Sequence, residues 1–338
     1  MPRNAVDAPG RRNFLARAAA LSGAAAIGLP PDAAAESVLE TTRLRMPATP
    51  GICVVPQYVA EPLLRAEGFT TVDYAPFRNI GPSAHVPTGD ADMAMDAIGP
   101  VITQIDAGQP LVVLAGIHLG CYELFGSAQV RAVRDLKGKR IPINGFGGPQ
   151  HVFVAAMLAY IGLDPRKDVE WIEAEVPDGL HMFMRGEADA YLGFPPEPQE
   201  LRAKRIGRVL VNTTTDRPWS QYYCCVLAAH RDYVRRYPIA TKRALRAILK
   251  ATDVCAQDPG RIAREVVERG FTDRNDYAID ALNQVHYNAW RTYDPLNTVR
   301  FHAVRLHDLG MIRSTPQKII AEGTDLRFLG ELKRELKG

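Results

Sequence analysis

A glycine-rich segment at residues 144–151 combines residue types that suit the binding of a small molecule. Glycines let a ligand come close to the backbone, and the free N–H groups at the start of the helix predicted to follow attract negative charge. Serine and threonine, which a sulfonate or phosphate site commonly adds, do not occur in this segment. A glycine-rich turn that binds nothing has the same pattern. The candidate ligand contacts are Asn144, Phe146, Gly147, Gly148 and His151.

Carboxyl groups follow two other predicted strands. Asp96 comes after the strand 92–95, and Glu197 comes after the strand 190–192. Ligands of open α/β sheets bind beyond the carboxyl ends of the strands. There an unpaired carboxylate repels anions and attracts an amine, an amidine or a heterocyclic N–H group. A solvated or bridging carboxylate is the alternative for Glu197. These positions predict a small planar or amine-bearing ligand, such as a pyrimidine.

Aromatic side chains lie near several of the same loops. Rings near strand ends can cage a planar ligand or stack on it, although rings at such places also serve only to pack the core. We expect at least two of them to contact the ligand. The aromatic candidates are Tyr58, Phe146, Phe194, Trp219 and Tyr222, and the polar neighbour of the first is Gln57.

His118, Cys121 and Glu123 are residue types that bind metals, at short spacing. A closed zinc site needs four ligands, and the nearest other thiols, Cys224 and Cys225, are remote in sequence. Adjacent residues of a strand face opposite sides, so at most one of that pair is expected to join such a site. The sequence therefore predicts no metal and no other cofactor, and His118 and Cys121 are kept as candidates for ligand contact.

The charge balance and the missing motifs exclude several classes of function. Residues 1–35 carry four basic and two acidic side chains, so a chain without them has a net charge near +1 instead of +3. A net charge this close to zero does not provide the excess of basic side chains that is typical of nucleic-acid-binding proteins. The sequence contains neither the G-x-x-x-x-G-K-[ST] loop of an ATPase nor the G-x-S-x-G motif of a serine hydrolase. We predict that the chain is not an enzyme.

Residues 1–35 have the order of a twin-arginine signal peptide. Arg11–Leu15 reads Arg-Arg-Asn-Phe-Leu, an apolar run follows at 18–29, and three alanines at 33–35 offer a cleavage site. The run is shorter than the roughly 20 residues of a membrane span. An amphipathic N-terminal helix with two arginines is the alternative. We predict export to the periplasm by the twin-arginine pathway.

Short β-like runs alternate with helical stretches, which is typical of α/β architecture. About 300 residues after the signal exceed what one hydrophobic core organises. We expect residues 41–115 and 228–338 to form one lobe and residues 116–227 to form a second. The predicted strands are 53–55, 72–75, 92–95, 111–117, 141–143, 169–172, 190–192, 209–211 and 223–228, of which 111–117 and 223–228 cross between the lobes.

Five stretches resemble one known family in their order and spacing. The chain at 58–69 reads Tyr-Val-Ala-Glu-Pro-Leu-Leu-Arg-Ala-Glu-Gly-Phe, which resembles the opening strand–helix unit of nitrate/sulfonate/taurine-type solute-binding proteins. That superfamily also includes binding proteins and synthases for the thiamine pyrimidine. The other matching stretches are Gly89-Asp-Ala-Asp, Asp106-Ala-Gly-Gln-Pro, Asp135-Leu-Lys-Gly-Lys-Arg and Gly186-Glu-Ala-Asp-Ala.

The resemblance implies a type II periplasmic binding fold, with two hinged α/β lobes joined by two strands and a helical C-terminal region. It implies a monomer that closes on a small-molecule ligand and docks on an ABC permease with its ATPase, and that meets the membrane only through that permease. A pyrimidine-synthase-like enzyme with a metal or covalent cofactor is the alternative on the same fold. A subunit that presents its ligand to a membrane receptor is a third possibility.

Overall fold

In the part of the chain that the structure describes, ten strands form the β structure that positions the site. A computed structural model describes residues 38–78, 81–175 and 177–336, so the predicted signal peptide lies outside the described residues. The strands are β1 (Arg43–Pro47), β2 (Thr71–Ala75), β3 (Met93–Ala97), β4 (Leu111–Leu119), β5 (Glu123–Gly126), β6 (Lys139–Ile143), β7 (Val169–Glu173), β8 (Ala190–Gly193), β9 (Arg208–Asn212) and β10 (Tyr223–His230).

Four small sheets result from the pairing of these strands. β1 pairs with β2 and β6 pairs with β7, both in parallel. In the order β3-β10-β4 and in the order β8-β5-β9, each neighbouring pair is antiparallel. Every residue of β4 is buried, as its continuous apolar sequence predicts for a strand covered on both faces. β10 joins β3 to β4 and is buried from Tyr223 to Ala229.

Helices cover the sheets and make up most of the chain after β10. Proline stands at the start of many of them, where its missing N–H costs nothing. The helices are α1 (Pro56–Val59), α2 (Glu61–Ala66), α3 (Ile98–Asp106), α4 (Pro149–Tyr160), α5 (Asp178–Met184), α6 (Glu197–Lys204), α7 (Arg231–Arg236), α8 (Pro238–Gln257), α9 (Pro259–Glu268), α10 (Asn275–Gln284), α11 (Pro295–Asp308), α12 (Pro316–Gly323) and α13 (Arg327–Glu335).

The predicted strand at 53–55 is wrong. Ile52–Val54 is a 3₁₀ helix that continues into α1 at Pro56, and its side chains are buried. An apolar run of this length fits a buried strand or a buried helical turn equally well, since periodicity does not separate the two. Two strands, β1 and β5, were not predicted from the sequence. β1 alternates exposed Arg43 and half-buried Arg45 with buried Leu44 and Met46, and β5 has only four residues.

The residues from Leu39 onward form one compact unit. Most of its buried apolar side chains belong to one large core, and a smaller separate cluster forms around Phe125, Phe183 and Tyr191. The largest fully buried side chains of the unit include Trp290, Tyr223 and Tyr287. These rings come from β10 and from the C-terminal helical region, so the helical tail is part of the core. Within the described ranges, no helix has both the length and the apolar character needed to cross a membrane.

Candidate functional site

A cavity of about 660 Å³ lies between two segments that are close in sequence, 81–88 and 100–109, and a third segment at 144–149. One wall is the loop that contains the 3₁₀ helix Pro82–His85, a second is the face of α3 with Thr103 and Gln104, and the third is the turn at 144–149 before α4. Ligand pockets for small molecules commonly measure about 300–1,000 Å³. The cavity therefore has the size of a metabolite site.

The turn at 144–149 has a backbone that only glycine adopts readily. Gly145 and Gly147 have φ angles of +127° and +81°. A Cβ atom on Gly148 would lie 2.7 Å from Oδ1 of Asn144 and 3.1 Å from the carbonyl oxygen of Gly145, so a side chain here would displace the Asn144 amide. α4 begins directly afterwards at Pro149. Because glycine has no side chain, the backbone just before α4 is directly accessible at the cavity wall.

Phe146 and His151 give this wall an aromatic character. The Phe146 side chain lines the cavity and is 62% exposed. Its ring meets the His151 ring edge-on, with centroids 5.0 Å apart. His151 Nδ1 accepts a hydrogen bond from the N–H of Gly147 at 3.0 Å, and burial lowers the pKa of its imidazole. His151 is therefore neutral at neutral pH and holds the turn without adding a positive charge.

Two amide side chains at this wall have unused hydrogen-bonding atoms. Oδ1 of Asn144 and Oε1 of Gln150 are buried and have no hydrogen-bond partner among the described residues. Asn144 lines the cavity. Because an unpaired buried acceptor costs about 1–3 kcal/mol, a donor group on a ligand at this wall would remove an existing penalty.

Asp96 lies behind the opposite wall and is linked to it by hydrogen bonds. Its carboxylate accepts from the N–H and the hydroxyl of Ser83 and from the N–H of Ala97. The Ser83 hydroxyl in turn accepts from the side-chain amide of Gln104 at 2.7 Å, and Gln104 lines the cavity. Burial raises the pKa of Asp96 to about 6. The chain from Gln104 through Ser83 thus connects the cavity to a buried acid.

A comparison with protein families identifies the group to which the sequence belongs. A family model described as NMT1/THI5 like matches residues 68–262, which is more than half of the chain. The chain belongs to the NMT1/THI5-like family. None of the curated proteins compared with it matches.

Solved structures share the fold of this NMT1/THI5-like protein at low sequence identity. The periplasmic nitrate-binding protein NrtA from Synechocystis PCC 6803 is 14% identical, has a TM-score of 0.76 and aligns over 89% of this chain and 90% of its own. The alkanesulfonate-binding protein SsuA from Xanthomonas axonopodis pv. citri, bound to MOPS, is 17% identical with a TM-score of 0.71, over 86% and 100%. The expected periplasmic binding protein fold is confirmed.

The same fold also carries an enzyme. The desulfurization enzyme DSZB is 15% identical, with a TM-score of 0.57, and aligns over 87% of this chain and 99% of its own. Fold alone therefore does not separate binding from catalysis. The function of the NMT1/THI5-like chain has to be argued from its own residues.

The candidates predicted near the first strand lie away from the cavity. The Gln57 side chain is fully buried and donates to the carbonyl of Pro47 at 3.0 Å. The Tyr58 hydroxyl donates to the carbonyl of Thr49 at 2.9 Å, and its ring lines a separate surface pocket. Gln57 thus donates to the last residue of β1, and Tyr58 donates to the loop just after β1, which is one of the two strands that were not predicted.

The candidates after β8 and before β10 are also placed outside the cavity. Glu197 is buried and accepts from the Tyr191 hydroxyl at 2.9 Å and from the N–H of Phe194 at 3.1 Å. The half-buried Phe194 ring meets the ring of Tyr122. Trp219 is buried against other rings, and Tyr222 is stacked 3.7 Å from Phe301 and lines another pocket. In this NMT1/THI5-like protein, the predicted aromatic contacts of this region therefore pack on other aromatic rings.

His118 and Cys121 lie in a buried cluster with both Cys224 and Cys225. The expectation that only one of the adjacent cysteines could join is wrong. β10 pairs Tyr223 with Leu119 and Cys225 with His118, so the register shifts and Cys224 is an extra residue in the strand. Such a β-bulge re-aims a side chain, which brings two consecutive thiols to the same cluster.

The polar residues of α3 were missed by the sequence analysis. Thr103 and Gln104 line the cavity, as does Thr88 from the loop before β3. The rule that ligands bind beyond strand ends directs attention to loops, whereas α3 begins immediately after β3 and turns a polar face to the same space. The sequence could have indicated this polar face, because Thr103 and Gln104 lie between the buried Ile102 and Ile105.

Proposed function

We propose that this chain is the solute-binding subunit of an ABC importer. In this proposal it is exported by the twin-arginine pathway, works in the periplasm as a monomer, and delivers an unchanged small molecule to a permease driven by a separate ATPase. Membership in the NMT1/THI5-like family and a fold shared with nitrate- and sulfonate-binding proteins support the proposal. The chain would touch the membrane only through the permease.

The cavity of about 660 Å³ is the observation that carries this proposal. We assign residues 41–115 and 228–338 to one lobe and residues 116–227 to the other. The walls formed by 81–109 then belong to the first lobe, and the wall formed by 144–149 belongs to the second. A site with walls on two lobes can close around its ligand by a hinge motion.

The lining favours a small planar or amine-bearing ligand. The exposed Phe146 ring offers a stacking surface, and Asn144 offers a buried carbonyl oxygen that lacks a donor among the described residues. None of the described residues that line the cavity is lysine or arginine. An anionic ligand would thus depend on backbone N–H groups, whereas a ligand with N–H donors and an aromatic ring, such as a pyrimidine, matches the side chains present.

Native mass spectrometry of the protein purified from its own periplasm tests this proposal directly. A retained small molecule is expected, and a thermal-shift series of pyrimidines, amines, sulfonates and carboxylates then ranks the classes. A bound compound that is converted to a product on incubation contradicts pure binding and favours the synthase-like alternative.

A pair of variants tests whether the ligand occupies this cavity. Phe146→Ala removes the ring before α4 and is expected to lower affinity about 3- to 10-fold, as the loss of a stacked ring commonly does. Tyr160→Ala is the matched control, because Tyr160 is a similarly exposed ring at the far end of the same helix and does not line the cavity. Equal affinities of the two variants would place the ligand elsewhere.

The export part of the proposal has its own test. Arg11→Lys combined with Arg12→Lys keeps the charge of residues 1–35 but removes the arginine pair of the signal. Cell fractionation is expected to find the variant in the cytoplasm and the unchanged chain in the periplasm. Equal periplasmic amounts of both would contradict this route.

A further inference from the structure

Four buried side chains with metal-binding atoms meet where β4 ends and β10 begins. The potential ligand atoms of His118, Cys121, Cys224 and Cys225 all lie within 4.8 Å of one another. The four side chains are at most 5% exposed. The cluster does not line the cavity proposed for the solute, so it requires a separate explanation.

His118 has the orientation of a metal-binding imidazole. Its Nδ1 lies 2.8 Å from the carbonyl oxygen of Gly120, and because a carbonyl can only accept, Nδ1 carries the proton and donates it. Nε2 then has a free lone pair, and it is buried with no hydrogen-bond partner among the described residues. Metal-bound histidines commonly donate their other ring N–H to a backbone carbonyl in this way.

The thiols are packed against one another. Sγ of Cys121 lies 3.4 Å from Sγ of Cys224, and Cys53 contacts both Cys121 and Cys225. Zn–S bonds of about 2.3 Å place two sulfur ligands of a tetrahedral site roughly 3.8 Å apart, so the sulfur atoms of Cys121 and Cys224 are close to the required spacing.

We propose that His118, Cys121, Cys224 and Cys225 bind one Zn²⁺ ion. Three thiolates and one imidazole are a common tetrahedral set for structural zinc. The set is closed and buried, so it offers no position to a substrate, and the ion would serve to tie the end of β4 to the start of β10. This assignment does not depend on what the solute cavity binds.

Elemental analysis of the untagged full chain is the first test. Purified protein is expected to hold about one Zn²⁺ ion per chain. Cys225→Ser is expected to weaken Zn²⁺ binding by more than about 100-fold, since changes that only touch a ligand's neighbours already cost about 10- to 100-fold. Cys255→Ser is the control, because Cys255 is also a buried cysteine but lies outside the cluster, and it is expected to keep its zinc.

Chelation of the unaltered protein gives a second readout that does not depend on a variant folding. Removal of Zn²⁺ is expected to lower Tm and to speed the reaction of the cluster thiols with an alkylating reagent, and added Zn²⁺ is expected to reverse both effects. Binding is expected to weaken as pH falls, because the thiols must release protons. A different metal on these residues, a disulfide between Cys121 and Cys224, or a protein that takes up no zinc would each overturn the assignment.

Discussion

Oδ2 of Asp96 accepts two hydrogen bonds from Ser83, one from its backbone N–H at 3.0 Å and one from its hydroxyl at 2.6 Å. Hydrogen bonds to a carboxylate favour its charged form, whereas burial favours the neutral acid. Here burial is the larger effect, and the pKa of Asp96 rises from 3.8 to about 6. The hydrogen bonds from Ser83 and Ala97 therefore offset only part of the cost of burying the charged carboxylate of Asp96.

Asp96→Asn is expected to change how stability depends on pH. The pKa of Asp96 is higher in the folded chain than in the unfolded chain. The contribution of Asp96 to the free energy of unfolding is therefore complete below about pH 3.8 and is lost as pH rises through about 6. A shift of about two units corresponds to roughly 3 kcal/mol. Urea unfolding of both proteins at pH 4 and pH 7.5 measures the effect. The variant should gain up to about that amount relative to the unaltered protein at the higher pH.

A pH-independent difference between the two proteins would contradict the raised pKa of Asp96. Ser83→Ala is a useful companion, because it removes the hydroxyl donor and leaves the backbone N–H. It is expected to raise the pKa of Asp96 further, so its loss of stability should be larger at pH 7.5 than at pH 4.

The two sequence motifs built around Asp92 and Asp189 show why the fold was predictable. Asp92, the last residue of Gly89-Asp-Ala-Asp, accepts from the N–H of Arg45 at 2.9 Å. Asp189, the fourth residue of Gly186-Glu-Ala-Asp-Ala, accepts from the N–H of Arg140 at 2.9 Å. Each aspartate stands just before a strand and anchors a neighbouring strand. Short motifs with such a local structural task can be recognised from sequence, since their partners lie in the adjacent elements of the same unit.

The places of Trp219 and Cys224 show why the site was only partly predictable. Trp219 precedes β10 as predicted, but its ring packs on Phe301 of α11, about 80 residues away in sequence. The bulge at Cys224 depends on the pairing of β10 with β4. Strand ends give the approximate position of a residue, whereas long-range packing decides which way its side chain points.

Gly99 and Val152 provide a prediction about the contact between α3 and α4. A Cβ atom on Gly99 would lie 2.3 Å from Cγ1 of Val152 and 3.2 Å from its Cβ. Alanine favours a helix over glycine by up to about 1 kcal/mol, but overpacking of this kind costs about 1–3 kcal/mol. Gly99→Ala is therefore expected to lower Tm and, because the helices belong to different proposed lobes, to weaken ligand binding.

Val152→Ala in the same chain as Gly99→Ala is expected to recover part of both losses. The second substitution removes the atoms that the new Cβ would meet, although it also removes buried methyl groups. Thermal unfolding and ligand titration of the two single variants and the double variant give the coupling. Additive effects of the two substitutions would show that the helices do not meet at these residues.

Tyr191→Phe is expected to destabilise the chain more above pH 7 than below it. The Tyr191 hydroxyl donates to Glu197, whose pKa is raised by burial to about 7. The ionised carboxylate depends on this donor more than the neutral acid does, because a hydrogen bond to a charged acceptor is stronger, and loss of the donor costs about 1–3 kcal/mol. Unfolding measurements at pH 5.5 and pH 8.5 check the prediction. The pH dependence of the Tyr191→Phe effect should disappear in a Glu197→Gln background.

Arg202 of α6 joins two carboxylates of very different exposure. It forms an ion pair with the buried Glu123 of β5, and its Nη2 lies 2.6 Å from Oδ2 of the exposed Asp280 of α10. Arg202→Ala would leave Glu123 buried without its partner, which commonly costs about 3–5 kcal/mol. Burial raises the pKa of Glu123 despite Arg202, so this loss is expected to shrink at acidic pH as Glu123 becomes neutral.

Asp280→Ala is expected to affect ligand binding more than stability. An exposed ion pair contributes about 0–1 kcal/mol, but this one connects residues 116–227 with residues 228–338, the segments that we assign to different lobes. Its loss should favour the open form and lower ligand affinity a few-fold. Asp276→Ala is the matched control, since Asp276 lies on the same helix and pairs with Arg274 of the same segment. Ligand titration and small-angle X-ray scattering measure both variants, and equal affinities would show that the pair does not hold the lobes together.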